Sequence, residues 1–161
     1  PIRGVEHAGQ AVEAYQEIGM LKGRVVIIGG GTIGSEIGLE LAERGNEVYI
    51  VEITDKLAEK GNMLYRIALR QHMEKCENLH TMMETECEEI KGDGVIVKGK
   101  DGVERFVGAD HVLLAVGLRS RRELAHSFYG ITPETAMIGD CDRIGNVLEA
   151  TNDAYFIAAN L

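Results

Sequence analysis

An α/β fold, a doubly wound parallel sheet with one crossover replaced by a three-stranded antiparallel meander, is predicted by three stretches. Arg24 to Glu52 reads strand, glycine turn, amphipathic helix, strand. Asp110 to Val116, DHVLLAV, reads as a further buried strand. Between them, Gly92-Asp93-Gly94 and Asp101-Gly102 cut a β-rich segment into short pieces, because glycine accepts the positive φ of tight hairpin turns.

The first stretch organises the rest. Arg24 to Ile28 is apolar and β-branched, as a parallel strand covered on both faces should be. Gly29, Gly31 and Gly34 follow as G-x-G-x-x-G. The first glycine permits the turn, the second lets a pyrophosphate approach the backbone, and the third lets helix and strand pack closely. A helix is expected from about Thr32 to Arg44, with Ile33, Ile37, Leu41 and Ala42 near one face and Gly45-Asn46 ending it. Val48 to Val51 is the next strand. Glu52 ends it eighteen positions after Gly34, about where a carboxylate meets an adenine-ribose hydroxyl. The plainer alternative is a glycine turn used only for packing, with Glu52 solvated. A P-loop is excluded, because Ser35-Glu36 follows the last glycine where Lys-Ser/Thr is required.

Composition narrows the classes. The 161 residues suit one domain or a little more, and an apolar content of 45% supports a core. A net charge of −9 argues against a nucleic-acid partner, whose phosphates need a basic face. No apolar run reaches membrane-spanning length and no signal peptide opens the sequence, so a cytoplasmic location is expected. Cys76, Cys87 and Cys141 are scattered and odd in number, and read as reduced thiols. The five histidines show no metal-ligand spacing with them, so no metal is expected.

The remaining elements follow in order. Ala8, Ala11, Val12, Tyr15 and Ile18 recur at helical spacing, predicting a helix over residues 7 to 18 closed by Gly19. A loop runs from Ile53 to Asn62, then a helix from about Met63 to Lys75 with Met63, Ile67, Arg70 and Met73 along its stripe, broadened by Leu64 and Leu69. Leu79 to Met83 is a short third strand. Three antiparallel strands fill Thr85 to Val107, and the acids Glu84, Glu86, Glu88 and Glu89 read as a solvated face. Gly117 ends the DHVLLAV strand; it either lets a cofactor pass close to the backbone or is a simple turn. Ala136 to Asp140 is expected to be a short strand ending in Gly-Asp. A helix over about 146 to 159 is apolar on several sides and so expects cover on more than one, and its amino end could hold an acceptor atom through free N–H groups.

Three pieces in this order, IGGGTIGSEIGLELAERGNEVYIVE, DHVLLAVG and MIGDC-DRIGNVLEATNDAYFIA, resemble the pyridine-nucleotide-disulfide oxidoreductase superfamily. Within it they are most similar to the C-terminal portion of NADH:flavin oxidoreductases, a group that includes 2,4-dienoyl-CoA reductases, 2-enoate reductases and NADH oxidase-like enzymes. The resemblance implies a Rossmann-like NAD-binding domain over residues 1–120 and the C-terminal piece of a split FAD-binding domain over 121–161. It implies that Gly29, Gly31, Thr32, Ile33 and Gly34 cradle the NAD pyrophosphate. It places Glu36 near the nicotinamide, Glu52 on the adenosine ribose, and Gly117 beside the dinucleotide. Gly139 and Asp140 match the Gly-Asp that binds FAD, and 145–147 the segment facing the flavin ring.

The departures are as telling. There is no second G-x-G-x-x-G for the FAD adenosine and no CxxxxC redox pair. The chain is therefore expected to be a fragment that binds NAD(H) but does not complete hydride transfer alone. Its partners are then the remaining FAD domain, an upstream catalytic domain and, through the 146–159 helix, a possible second copy. The alternatives are a stand-alone NAD-binding regulatory module and, less favoured, an S-adenosylmethionine-dependent methyltransferase. A short-chain dehydrogenase is excluded, since none of the five tyrosines is followed at +4 by lysine.

Overall fold

A computed structural model describes residues 2–160. The chain divides into two compact units, Pro1–Val116 and Gly117–Leu161.

In the first unit a short 3-10 turn, Val5–His7, precedes β1 (Gly9–Gln10) and α1 (Ala11–Ala14), which continues as a 3-10 segment, Tyr15–Met20. Then come β2 (Arg24–Ile28), α2 (Thr32–Glu43), β3 (Glu47–Val51), α3 (Met63–Met73) and β4 (Leu79–Met82). The meander is β5 (Thr85–Lys91), β6 (Gly94–Gly99) and β7 (Glu104–Gly108), and β8 (His111–Leu114) returns to the main sheet. That sheet has the order β1-β8-β2-β3-β4 and every pairing in it is parallel. The β2–β3 register sets Val26 opposite Tyr49 and Ile28 opposite Val51, so both strands end together.

Alternation of side chains along β2 explains the layering. Val25 and Ile27 join Val48, Ile50 and Leu113 beneath Ile37 and Leu41 of α2 and Leu69 and Met73 of α3. Val26 and Ile28 join Val51, Val112 and Leu114 on the opposite face, under Cys87, Ile90, Val95 and Val97 of the meander. The meander thus covers one face of the sheet and the helices the other. Because β2 is buried on both faces, its sequence is continuously apolar.

The predicted helix over residues 7 to 18 is corrected. Gly9 and Gln10 pair in parallel with Leu113 and Leu114 as an edge strand, and the α-helix begins only at Ala11. The open edge of β8 supplies the backbone partners that a local helical period cannot register. Farther upstream, Arg3 bonds both ways to the meander, its N–H to the Glu88 carbonyl at 3.3 Å and its carbonyl to the Ile90 N–H at 2.8 Å. The stripe of α3 is also corrected: Leu69 and Met73 are buried, whereas Met63, Leu64 and Ile67 are exposed. Its core side is set by the 69/73 pair facing β4 and α2, one turn apart.

Cys87 shows what the meander's burial does chemically. Its side chain is 6% exposed, and burial pushes its thiol up to about 11. Below that pH the protonated form dominates, and the thiolate is the reactive species. At pH 8 the native chain is therefore expected to resist iodoacetamide at Cys87, and to be modified there once urea unfolds it. Mass spectrometry of the peptide containing Cys87 checks this, and rapid labelling of the folded chain contradicts it.

The second unit holds α4 (Arg122–His126), a 3-10 turn at Gly139–Cys141 and α5 (Val147–Ala158). Ion pairs join Arg122 to Asp142 and Arg143 to Asp153. The strand expected over Ala136 to Asp140 is absent among the described residues. Gly139 takes φ +62°, which turns the backbone out of the extended region, and the described residues of this unit include no strand to pair with 136–138. The helix expected over 146 to 159 forms, with Asn146 as its N-cap and Glu149 closing a capping box. None of its residues is buried; Val147, Leu148, Tyr155 and Phe156 are each two-thirds or more exposed.

Candidate functional site

The carboxyl ends of β2 and β3 build the site. Gly29 leaves β2 with φ +105°, and its N–H reaches across to the Val51 carbonyl at 2.8 Å. A side chain at Gly29 could not exist, since its first carbon would stand 2.5 Å from the Ala115 carbonyl oxygen of β8's exit. Gly34, in the first turn of α2, packs so closely that an added carbon would overlap the Gly29 carbonyl oxygen. These two glycines set the helix down on the strand. Gly31 does something else. It has an ordinary φ of −61°, and an added carbon there would meet nothing within 4 Å among the described residues. Its bare face is open.

Gly31 is also the N-cap of α2 and offers no side-chain cap. The N–H groups of Thr32, Ile33 and Gly34 therefore have no intrahelical acceptor, and they sit at the positive end of the helix dipole. An anion-receiving surface is the chemical consequence.

Glu52 is joined to this turn directly. It is 9% exposed, and its Oε2 accepts the Gly30 N–H at 2.6 Å. Its Oε1 accepts both the N–H and the hydroxyl of Thr54, each at 2.8 Å. The Gly30 carbonyl is held as well, accepting the Ala58 N–H at 2.8 Å and the hydroxyl of the fully buried Ser35 at 3.0 Å. Ala58 is buried in the left-handed region, φ +50°, within the loop that follows β3. Two arginines of α3 hold that loop: Arg70 donates to the Leu57 carbonyl and Arg66 to the Glu59 carbonyl. The Gly30 peptide is thus fixed at both ends before any ligand arrives.

Of the residues expected to act together, Gly29, Gly31, Thr32, Ile33, Gly34 and Glu52 share this turn. Glu36 lies a turn further along α2, where its carboxylate accepts the Tyr65 hydroxyl at 2.5 Å. That bond, followed by partial burial, raises the pKa of Tyr65. Both residues line a groove of about 480 Å3 with Val12, Tyr15 and Glu40. In the second unit, Gly117 has φ +104°, and an added carbon there would meet nothing within 4 Å among the described residues. Asp140 is exposed, and its Oδ1 accepts the Gly145 N–H at 3.2 Å. The amino end of α5, expected to offer free N–H groups, is partly filled: Asn146 Oδ1 accepts the Glu149 N–H at 3.0 Å and Glu149 Oε2 accepts the Asn146 N–H at 2.9 Å.

The sequence reading missed Gly30, Ser35, Thr54 and Ala58. Gly30 is an unassigned x of the motif, and its partners lie 22 and 28 positions away. A threonine two places after a strand-ending acid is a usable local signal, because short hydroxyl side chains bond nearby groups at this range. No group of three or more His, Cys, Asp or Glu among the described residues could hold a metal ion. No helix among them is long and apolar enough to cross a membrane.

Comparison with known proteins gives the chain a family. The family model described as "Pyridine nucleotide-disulphide oxidoreductase" matches residues 1–147, and the chain belongs to that family. The family comprises flavin- and pyridine-nucleotide-dependent oxidoreductases. A cinnamate reductase of Clostridium sporogenes is 27% identical over 99% of the chain, which covers 24% of that protein. An NADH oxidase of Thermoanaerobacter brockii is 30% identical over 83% of the chain and 21% of its own length. A solved structure of a 2-naphthoyl-CoA reductase superposes with a TM-score of 0.85 at 30% identity, over 96% of this chain and 24% of that one. The chain thus spans about a quarter of the length of these relatives.

Proposed function

We propose that this chain is the NAD(H)-binding piece of a larger flavin-dependent oxidoreductase in which hydride passes from NADH to FAD. One observation carries the reading: an open, uncapped glycine turn at a helix amino end, with a nearly buried carboxylate bonded to that same turn. The residues fit the nucleotide. The bare face of Gly31 admits a diphosphate, the N–H groups of Thr32, Ile33 and Gly34 receive its charge, and Glu52 accepts from the adenosine ribose. The bound nicotinamide supplies the hydride, and the protein's part is to hold and orient it. Glu36 is the candidate acid on the nicotinamide side, with Tyr65 fixing its carboxylate. Gly117 is the proposed close approach beside the dinucleotide.

The residues fit FAD only in part. Gly139 and Asp140 make one exposed turn suited to a ribityl or phosphate oxygen, and the described residues contain no second glycine turn for its adenosine half. The relatives' greater length supports a parent that supplies the rest of the FAD domain and an upstream catalytic domain. The exposed apolar residues of α5 are the surface for that cover or for a second copy.

Glu52 also sets the choice of nucleotide. A 2′-phosphate there meets a carboxylate, and Ile53 and Thr54 place no arginine beside it. Even in a solvent-like dielectric two unit charges about 4 Å apart repel by about 1 kcal/mol, and more near a protein surface. Calorimetry on the purified chain is expected to show NADH binding at least about tenfold tighter than NADPH. Equal affinities refute the role given to Glu52, and no binding of either refutes the proposed function.

A further inference from the structure

The acceptor capacity of Glu52 is nearly used up in the free protein. A carboxylate offers roughly four acceptor positions. The Gly30 N–H, the Thr54 N–H and the Thr54 hydroxyl occupy three of them. The two vicinal hydroxyls of an adenosine ribose need two. One existing donor must leave, and the two backbone N–H groups cannot leave without moving the chain.

The Thr54 hydroxyl can. Its single proton has two acceptors within reach, Glu52 Oε1 at 2.8 Å and the Lys56 carbonyl at 3.0 Å. Rotation about one side-chain bond carries it from the first to the second. The residue is exposed, and the bond its oxygen accepts from the Lys56 N–H is long, at 3.4 Å. We infer that the Thr54 hydroxyl is a stand-in for a ribose hydroxyl: it covers Glu52 Oε1 in the free protein and yields that position to the nucleotide, turning to the Lys56 carbonyl. Thr54 is thus a positioning residue acting through Glu52, an inference that rests on the assignment of Glu52 to the ribose.

The energetics give the test an unusual sign. Hydrogen bonds to an ionised acceptor are roughly twice as strong as those to a neutral one. Removing the hydroxyl therefore costs the free protein its stronger bond, to Glu52, and the bound protein only its weaker bond, to an exposed carbonyl. The free state loses more than the bound state, so binding tightens as stability falls. A residue that merely supported the fold, or that touched the ribose itself, would weaken binding when cut back.

Calorimetry with NADH and with NADPH, and thermal melts without ligand, are compared for the parent chain, Thr54→Ala and Thr54→Ser. Thr54→Ala is expected to melt below the parent yet bind NADH roughly fivefold tighter, with NADPH affinity little changed, since a 2′-phosphate leaves Oε1 without its hydroxyl. Thr54→Ser keeps the swivelling proton and should match the parent for both nucleotides. Unchanged or weaker NADH binding by Thr54→Ala overturns the inference while leaving the nucleotide site standing. A parent chain that melts cooperatively but binds no NADH overturns the site, and this inference with it.

Discussion

A Gly34→Ala variant is expected to melt roughly 5–15 °C below the parent chain, the loss of about 2–4 kcal/mol in a domain of this size. The reason lies in what the new carbon meets. It would overlap the Gly29 carbonyl oxygen, with the Ala115 side chain 3.0 Å away on another side. The first neighbour is backbone at the end of a central strand. It cannot swing aside as a flexible side chain could, so α2 must lift off β2. That lift breaks the contact of Ile37 and Leu41 with Ile27 and Ile50, the centre of the helix-side core. The comparison is Gly31→Ala, three residues earlier in the same motif. Its φ of −61° suits alanine and its added carbon meets nothing, so the melt should stay within about 2 °C of the parent. NADH affinity should nevertheless fall at least about tenfold, because the methyl stands where the diphosphate approaches. Melts and calorimetry on the two variants separate a packing glycine from a binding glycine. A Gly31→Ala chain that binds NADH like the parent would falsify the placing of the diphosphate.

That contrast also marks how far the sequence could be read. The spacing G-x-G-x-x-G names three glycines of one kind, and the structure divides them by what surrounds each. The strands were legible because burial on two faces writes a continuous apolar run, as in Arg24–Ile28, and the meander because Gly-Asp turns admit positive φ. Elements whose support comes from elsewhere were not. Gly9–Gln10 is a strand only because β8 leaves an edge open beside it, and no property of two residues announces that. The stretch 136–138 has the composition of a strand but no strand partner among the described residues of its unit, and stays irregular. Within the site, Glu52 was legible by its distance from Gly34. Its bond to the Gly30 N–H was not, because it joins residues 22 positions apart through the fold. The loop after β3 was legible as a loop, yet its grip on the turn depends on Arg66 and Arg70, whose spacing reads equally well as part of a solvated face.

Glu52→Gln is expected to be the costliest change of a single group at the site itself. The carboxylate has two oxygens facing two sets of donors, Gly30 N–H on one and the Thr54 N–H and hydroxyl on the other. An amide has one oxygen and one NH2. Turned one way, the NH2 confronts the Gly30 N–H across what was a 2.6 Å bond; turned the other way, it confronts the Thr54 N–H. Either choice leaves a donor facing a donor at a position only 9% exposed, where water cannot easily intervene. Hydrogen bonds to a charged acceptor contribute about 1.5–3 kcal/mol each, so a loss of about 2–4 kcal/mol of stability is expected. The effect on binding has a direction that stability alone does not produce. NADH should weaken at least about tenfold, having lost a charged acceptor for the ribose. NADPH should weaken less, because the same change removes the charge that repelled its 2′-phosphate. The NADH preference therefore narrows even as the chain becomes less stable. Were Glu52 present only to anchor Gly30, both nucleotides would weaken together and their ratio would hold. Calorimetry of the two nucleotides against parent and variant, at a temperature well below either melt, decides between the anchor and the ribose acceptor.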